Sequence, residues 1–302
     1  MNHFLVLVNP SAGGVETDDS SAAITMDEEL QAVTAELDRH GSVTVESVDS
    51  DEDLRRVTRQ TDSDTVYVVV GGDGTLHRTL NVLAERPCRY LLIPGGTGND
   101  FAAGAGLPED LVQAAGVART GRARPHDLLR IHDVVAMNAA HLGIGVKAAE
   151  AAADWKDRLG KLAYPAGAVS AATSFEPTLA SAVLDGDQIL DCVDVALLGI
   201  CNGPRVGGGT MLCPPADPSD GLLDVVVLQA QNRTDLAGIT TALLRGTHLD
   251  RDDVQHHQGH ELTVTIHDRD QVDWNIDGEL QSLPAQIEGK VQAGAWELFT
   301  NA

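Results

Sequence analysis

Residues Tyr67 to Asn81 read YVVVGGDGTLHRTLN, and the fold of the chain follows from this stretch. Its first four residues are apolar and mostly β-branched, which predicts a buried strand. The strand ends at Gly71-Gly72-Asp73-Gly74-Thr75, and the leucines that follow recur at helical spacing. A strand, a glycine-rich turn and a helix in this order predict an anion-binding turn, because glycine has no Cβ and the first helical N–H groups point outward. An ordinary βα turn is the alternative, although about two residues suffice for one.

Two further turns of small residues follow predicted strands. Phe4–Val8 leads into Asn9-Pro10-Ser11-Ala12-Gly13-Gly14, and Arg89–Ile93 leads into Pro94-Gly95-Gly96-Thr97-Gly98-Asn99-Asp100. Strands and helices alternate in this part of the chain, which predicts a parallel sheet whose ligands lie outside the carboxyl ends of the strands. The three turns should therefore meet at one sheet edge and form a pocket for the phosphates of a nucleotide.

The segments between these turns predict connecting elements. Met26–His40 has an apolar helical face, with Gly41 as its expected stop. Ser50 followed by Asp53 resembles a capping box, which predicts a helix over Glu52–Gln60. The first part of the chain is therefore expected to be a regular α/β domain.

The second part of the chain has a different pattern. Apolar or alternating runs flank turn signals such as His132-Asp133 and Asp185-Gly186-Asp187, and they include Val134–His141 and Gln188–Ile200. Consecutive hairpins predict a mainly antiparallel, β-sandwich-like domain. The alanine-rich segment Lys147–Ser174 is predicted to be helical. We place an α/β domain at residues 1–125, to which a strand at about 294–302 returns, and a β-rich domain at residues 126–293.

Composition excludes one class of partner and indicates a compartment. Asp and Glu total 45 against 21 Lys and Arg, for a net charge of -24, which argues against binding nucleic acid. Such a surface is expected of a protein that works in concentrated salt, in which case its stability rises between low and molar KCl. No apolar run approaches about 18 residues, so we expect a cytoplasmic protein whose contact with a membrane is peripheral. The four cysteines lack Cys-x-x-Cys spacing, so neither a zinc site nor a disulfide framework is expected.

The motifs taken together resemble the catalytic domain of the soluble diacylglycerol and sphingosine lipid kinases. The resemblance rests on Asn9–Gly13, Gly71–Thr75 with Asn81, Pro94–Ala102, Cys201-Asn202-Gly203 with Gly207-Gly208-Gly209, Asp220–Asp224 and Asp277-Gly278-Glu279. It implies a first domain like that of phosphofructokinases and NAD kinases, and transfer of the γ-phosphoryl group of ATP to the hydroxyl of a lipid alcohol such as diacylglycerol. A soluble-substrate kinase related to NAD kinases and a non-catalytic nucleotide or lipid binder are the alternatives. A homodimer is also considered.

Phosphoryl transfer needs phosphate donors, a divalent cation and a base for the attacking hydroxyl. Asp73 is the expected Mg²⁺ ligand, because Mg²⁺ takes one or two carboxylates together with phosphate oxygens. Asp277 is the expected base, a role that the resemblance supports, and Asp73 is its rival. An aspartate at the tip of a type I′ hairpin is the structural alternative for Asp277. The expected nucleotide site comprises Asn9, Gly71, Gly72, Gly74, Thr75, Gly95, Gly96, Thr97, Asn99, Asp100 and Glu279.

The resemblance also implies a second, structural Mg²⁺ in Asp217-Pro218-Ser219-Asp220-Gly221-Leu222. Its ligands would be the Asp220 carboxylate with Asp217, the main chain of Leu222 and water, and a polar loop is the alternative. Asp127 matches a family position at the hinge between the domains.

The sequence departs from the family where basic residues are usual. Val15 to Asp38 contains no Lys or Arg, and Ala103-Gly104 follows Asn99-Asp100-Phe101-Ala102 where an Arg is common. Phosphate charge must then be balanced by Mg²⁺, by amide dipoles or by His77, Arg78 and Arg205, so ATP binding without Mg²⁺ should be weaker than micromolar. His256-His257-Gln258-Gly259-His260 is interpreted as a solvated polar loop that has neither a carboxylate nor a Cys partner.

Overall fold

The computed structural model describes residues 2–9, 20–59, 61–62, 64–84, 86, 88–96, 98–146, 176–206, 209–230 and 232–301. Three sequence-based expectations fall wholly or largely outside these ranges: the turn Asn9–Gly14, the role of Thr97 and the helix over Lys147–Ser174. The chain divides into two compact units, Met1–His126 with Ala295–Ala302, and Asp127–Gly294. The boundary placed from sequence between residues 125 and 126 lies one residue away from this division.

The described helices and strands follow the chain with a break after residue 146. In chain order they are β1 (Asn2–Val8), α1 (Ser20–Asp38), β2 (Gly41–Ser47), α2 (Asp51–Thr58), β3 (Thr65–Gly71), α3 (Asp73–Leu83), β4 (Arg89–Pro94), α4 (Asp100–Gly104), α5 (Leu111–Thr120), β5 (Arg122–Ile131), β6 (Val134–Ala136), β7 (Ala139–Gly143), β8 (Thr178–Leu184), β9 (Asp187–Val195), β10 (Leu197–Cys201), β11 (Arg205–Val206), β12 (Thr210–Met211), β13 (Leu223–Leu228), α6 (Arg233–Leu244), a 3₁₀ helix (His248–Asp250), β14 (Val254–Gly259), β15 (Glu261–Ile266), β16 (Gln271–Ile276), β17 (Glu279–Pro284) and β18 (Gln286–Thr300).

The first unit contains a parallel sheet, as the sequence predicts. Its strand order is β2-β1-β3-β4, and the C-terminal part of β18 pairs with β4. The register places Val8 beside Val70 and Gly71 beside Pro94, so β1, β3 and β4 end at the same edge. The turns that follow these three strands therefore start side by side.

Helix α1 covers one face of this sheet. Val33 and Leu37 of α1 are buried in one apolar cluster with Phe4 and Val68, where each aliphatic side chain contributes about 1.5–3 kcal/mol. The helix begins at Ser20 and not at Met26, because no glycine or proline interrupts the residues between them.

Two local predictions in the first unit have different outcomes. Gly41 was expected to stop α1, but the helix ends at Asp38 and Gly41 is the first residue of β2. A Cβ on Gly41 would lie 2.1 Å from the carbonyl oxygen of Asn2, so the close approach of β1 explains this glycine. The capping box is confirmed, because Ser50 Oγ accepts a hydrogen bond of 3.1 Å from the Asp53 amide at the start of α2.

The second unit is an antiparallel β-sandwich. One sheet has the strand order β14-β13-β10-β7-β16-β17, and the other contains β15, β8, β9 and the N-terminal part of β18. Apolar residues of both sheets form the core between them, among them Ile200, Val225, Trp274, Ala180 and Val264. Helix α6 packs on the outer face of the six-stranded sheet through Leu236 and Ile239. The predicted antiparallel domain is confirmed.

Two apolar runs that we interpreted as single strands are each divided in the structure. Val134–His141 contains all of β6 and the start of β7, separated at residues 137–138. Gln188–Ile200 contains parts of β9 and β10, which belong to different sheets. A continuous apolar run fits one strand or two equally well, so periodicity does not reveal where the chain changes sheets. Among the described residues, no helix combines the length and apolar character that a membrane crossing requires.

Candidate active site

The turns after β3 and β4 in the first unit are in contact. A Cβ on Gly96 would lie 2.4 Å from Gly72 Cα, and a Cβ on Gly72 would lie 3.0 Å from Gly96 Cα. The amide of Gly95 donates to the carbonyl of Gly71 at 3.0 Å. Real Cβ atoms do not approach so closely, so only glycine allows the two backbones to meet. Asn9 directly follows β1 at the same sheet edge, while residues 10–14 lie outside the described ranges.

Asp73 connects these two turns through its carboxylate. Oδ2 accepts a hydrogen bond of 2.8 Å from the Asp100 amide, and Oδ1 accepts one of 3.1 Å from the Phe101 amide. These amides belong to the first turn of α4, where N–H groups have no helical acceptor. Asp73 is therefore the residue at the start of α3 that also holds the start of α4 in place.

Other residues of the expected nucleotide site build the turns themselves. Asn99 has a left-handed backbone, with φ of 54°, and its side chain both accepts from the Gly96 amide at 3.1 Å and donates to the Gly96 carbonyl at 2.7 Å. A Cβ on Gly71 would lie 2.6 Å from Thr75 Oγ1, so these two residues are packed together. The exposed Gly74 lies on the first turn of α3.

The basic residues that could replace the missing phosphate ligands make local interactions. Arg78 Nε donates to Asp51 at 2.7 Å in an ion pair. His77 is buried and its ring nitrogen lies 3.1 Å from Asn81 Nδ2. Arg205 Nη1 donates to the carbonyl of Gly209 at 3.3 Å. The charge of Arg78 is thus partly neutralised by an acidic neighbour.

Asp277 lies at the tip of the hairpin between β16 and β17. The φ angles of Asp277 and Gly278 are 50° and 96°, the positive values that a type I′ turn requires. Its carboxylate also accepts three backbone hydrogen bonds, from Met137 at 2.7 Å, Asn138 at 2.9 Å and Ala139 at 3.0 Å. A turn aspartate needs none of these bonds, so Asp277 has a second, long-range role. The exposed Glu279 follows as the first residue of β17.

No role was predicted from sequence for the residues that surround this carboxylate, although Asn202 belongs to one of the family motifs. Asn138 is buried in the gap between β6 and β7, and Asn202 donates its side-chain amide to the Met137 carbonyl at 2.7 Å. The amides of residues 137–139 therefore face Asp277 while a carbonyl of the same segment is held by Asn202. A single buried Asn within an apolar run was the available signal, and it does not identify a partner 139 residues away.

His141 is a buried titratable neighbour of Asp277. Burial lowers the pKa of His141 to about 4, and the charge of Asp277 opposes part of this change. A Cβ on Gly145 would lie 2.5 Å from His141 Nδ1, which shows how closely the backbone covers the ring. His141 is therefore a neutral imidazole at neutral pH.

Comparison with known proteins identifies the family. A family model described as the diacylglycerol kinase catalytic domain matches residues 3–131. A second model, described as the YegS C-terminal NAD kinase beta sandwich-like domain, matches residues 138–300. The chain belongs to the diacylglycerol kinase-like family. The resemblance drawn from the motifs is confirmed.

Individual relatives agree with this assignment. A protein named diacylglycerol kinase from Bacillus subtilis (strain 168) is 31% identical over 218 residues, which are 71% of this chain and 71% of that protein. A protein of the same name from Mycobacterium tuberculosis (strain ATCC 25618 / H37Rv) is 33% identical over 235 residues, 73% of this chain and 74% of that one. The crystal structure of a diacylglycerol kinase from Bacillus anthracis str. Sterne has a TM-score of 0.77 at 21% identity, with 99% and 97% of the two chains covered. This last likeness shows the fold.

A diacylglycerol kinase-like protein is a kinase, which implies a nucleotide substrate and, as a rule, a divalent metal. The loop Asp217–Leu222 has the character of a site for a hard cation. The Asp220 pKa is raised, first by burial and then by the charges of Asp224, Asp217 and Asp127, while a bond from the Leu222 amide opposes the change. A bound cation would offset this repulsion, so the residues fit the metal.

Asp127 forms hydrogen bonds with the backbone of the same loop and with the backbone of Gly294. Its Oδ2 accepts from the Gly221 amide at 2.8 Å, its Oδ1 accepts from the Gly294 amide at 2.7 Å, and its own amide donates to the Pro218 carbonyl at 2.7 Å. Asp217 is occupied locally, because its Oδ1 accepts from the amide and the hydroxyl of Ser219.

The interpretation of residues 256–260 as a solvated loop without partners is wrong. His256 lies on β14, and its Nε2 is 2.6 Å from Asp224 Oδ1 on the neighbouring strand β13. His260 follows the strand and contacts Asp185 at 3.1 Å. The pattern of polar residues concealed a strand because its side chains pair with acidic residues distant in sequence.

Proposed function

We propose that the chain is an ATP-dependent lipid kinase that transfers the γ-phosphoryl group to the hydroxyl of a lipid alcohol such as diacylglycerol. The contact of Gly72 with Gly96 carries the proposal, since it brings two glycine turns and the N-terminus of α3 to one sheet edge. Backbone amides grouped in this way favour an anion, and a triphosphate is the anion that a kinase must bind.

The nucleotide contacts would come from the turns of the first unit. Backbone amides of Gly72 and Gly74 would donate to phosphate oxygens. Gly71, Gly95 and Gly96 would let the phosphates approach the backbone, since the Gly95 amide donates to Gly71 and the Gly96 amide donates to Asn99. Further contacts in this proposal come from Asn9, Thr75, Thr97, Asn99 and Asp100. Mg²⁺ would supply the positive charge that Val15–Asp38 lacks.

We assign different roles to the two acidic candidates. Asp277 is the proposed base, and hydrogen bonds from three amides hold its carboxylate in one orientation. Asp73 is the proposed ligand of the nucleotide-associated metal, and the Asp100 and Phe101 amides fix its orientation. A second, structural Mg²⁺ would be held by Asp220, Asp217 and the main chain of Leu222. The acceptor would be reached at the membrane surface by a cytoplasmic protein.

A non-catalytic nucleotide or lipid binder is the second candidate. The ion pair of Arg78 with Asp51 favours it, because a guanidinium engaged with a carboxylate offers less charge to a phosphate. The absence of basic residues over Val15–Asp38 points the same way.

Radiolabelled ATP incubated with mixed lipid extract and Mg²⁺, at low and at molar KCl, distinguishes the candidates. Labelled lipid supports the proposed function, and a labelled dinucleotide after addition of NAD supports a soluble-substrate kinase. Nucleotide binding with no labelled product supports the binder. The Asp277→Asn variant is the control for chemistry, since a lipid kinase that uses Asp277 should bind ATP and leave the lipid unlabelled.

A further inference from the structure

A second group of side chains with metal-binding chemistry lies on the outer face of the six-stranded sheet of the second unit. Cys201 of β10 pairs directly with Asp224 of β13, and residues opposite each other in a sheet project from the same face. His256 of β14 pairs with Val226, which shares that face with Asp224. Cys213 follows β12 and packs into the same apolar cluster as Cys201.

The potential ligand atoms of this group are close together. The Cys213 sulfur, an Asp224 carboxylate oxygen and a His256 ring nitrogen all lie within 4.8 Å of one another. The Cys201 and Cys213 thiols are buried and free of disulfides. A hydrogen bond with Cys213, followed by burial and nearby negative charge, raises the pKa of Cys201 well above its usual range.

The described residues satisfy only one of the two oxygens of the Asp224 carboxylate. Its side chain is 1% exposed, and its Oδ1 contacts His256 at 2.6 Å. Its Oδ2 is buried without a hydrogen-bond partner among the described residues. A buried carboxylate oxygen without a partner is costly unless a cation or a donor compensates it.

We propose that Cys213, Asp224 and His256, with Cys201 as fourth ligand, form a Zn²⁺ site in the second unit. Two thiolates, one imidazole and one carboxylate are ligands that zinc accepts in a tetrahedron, with bonds of about 2.0–2.3 Å. Ligand atoms of such a tetrahedron lie about 3.3–3.8 Å apart, which follows from those bond lengths. The atoms of Cys213, Asp224 and His256 already lie within 4.8 Å of one another, and the 2.6 Å contact between His256 and Asp224 would lengthen on binding.

The ligand set also determines which metal is favoured. Thiolate and imidazole select zinc, whereas Mg²⁺ prefers oxygen ligands and water. The oxygen-rich Asp217–Leu222 loop and the thiol group therefore take different metals, although Asp220 and Asp224 are close in sequence. Zinc would displace the protons of the two thiols, so two protons are released per ion and binding weakens at low pH. The His256 side chain is 26% exposed and gives the ion an entry.

The test is zinc binding by the reduced full chain in excess Mg²⁺, measured by competition with a chromophoric indicator. We expect one Zn²⁺ per chain, and a loss in Cys213→Ser and His256→Gln that exceeds the about 10- to 100-fold typical of residues beyond the direct ligands. Two matched controls should bind zinc as wild type does. Cys192→Ser removes an exposed thiol outside the group, and His257→Gln removes an imidazole that contacts Gln255. Equal binding by wild type and by Cys213→Ser overturns the site.

Cobalt binding to the wild-type chain provides a measurement that needs no variant. Co²⁺ in the wild-type chain should show visible bands of a tetrahedral ion and a thiolate charge-transfer band in the near ultraviolet, and added Zn²⁺ should remove both. A spectrum without the thiolate band overturns the proposal. Cys201→Ser should weaken the charge-transfer band, and an unchanged band excludes Cys201 as the fourth ligand. None of these measurements depends on kinase activity.

Discussion

Two aspartates that the sequence identifies as chemical candidates are both held by backbone amides, but in different ways. Asp73 in the first unit receives two amides from the start of α4, 27 and 28 residues along the chain. Asp277 in the second unit receives three amides from residues 137–139, which lie 138 to 140 residues away. The first contact joins neighbouring βα turns, and the second joins a hairpin tip to a strand break.

The two contacts differ in how far a sequence motif can predict them. The partners of Asp73 lie in the next glycine-rich turn, so parallel topology alone brings them near. The partners of Asp277 depend on the pairing of β16 with β7, which no local sequence pattern predicts. Both carboxylates stabilise backbone, and each therefore has a structural contribution that must be separated from any catalytic one.

The largest effect is expected for Asp277→Asn. Loss of a general base costs about 10²- to 10⁴-fold in rate, and an Asn amide facing backbone donors should also lower the free energy of unfolding by about 1.5–3 kcal/mol. Labelled-lipid formation and thermal melting measure the two losses. Asn202→Ala is the matched control, because it releases the Met137 carbonyl but keeps the carboxylate. Activity of Asp277→Asn within a few-fold of wild type removes the base assignment.

The second test uses His141, a neighbour of Asp277. Burial lowers the pKa of His141 to about 4 from a usual value of 6.5. The unfolded chain therefore binds the proton first as pH falls, and the folded state loses about 3 kcal/mol of stability between pH 6.5 and 4. Denaturant unfolding of wild type and His141→Gln across this range measures the difference. If the difference in the free energy of unfolding between wild type and His141→Gln stays constant from pH 6.5 to pH 4, the predicted contribution of His141 is wrong.

The contact between the two glycine turns of the first unit gives the third test. Gly96→Ala places a methyl group 2.4 Å from Gly72 Cα, so the turns must separate. Overpacking of this kind costs about 1–3 kcal/mol, and we expect nucleotide affinity to fall at least about tenfold. Gly104→Ala is the control, since nothing lies within 4 Å of its Cβ. Titration of both variants with a fluorescent ATP analogue checks this, and equal affinities would count against the phosphate site.

The smallest effect is expected for the stability of Asp73→Asn. One oxygen that accepts an α4 amide is replaced by an amide group, and loss of such a cap costs about 1–2 kcal/mol. Asp110→Asn is the control, because Asp110 caps α5 through one bond to the Gln113 amide, and Asn caps almost as well as Asp. Thermal melting compares the two variants. A smaller loss for Asp73→Asn than for Asp110→Asn would show that the Asp73 contacts do not stabilise α4.

Much of the local structure could be predicted from the sequence, because it depends on short-range chemistry. The capping of α2 by Ser50 and the hairpin tip at Asp277-Gly278 follow from residue type and spacing. Division of the run Gln188–Ile200 between two sheets could not be predicted, since its residues are apolar on both sides of Ala196. The partner of His256 was missed for a related reason, because Asp224 is 32 residues away and on another strand.

Residue order alone predicts that glycine turns follow β1, β3 and β4, because apolar strand runs and helical spacing bracket each turn. It also identifies the family, since the motifs occur in order along the chain. The backbone amides that contact Asp277, and the thiol and imidazole near Asp224, could be identified from the folded chain alone. Strand pairing brings those groups together across long chain separations, and the register of a sheet depends on the packing of all its strands at once.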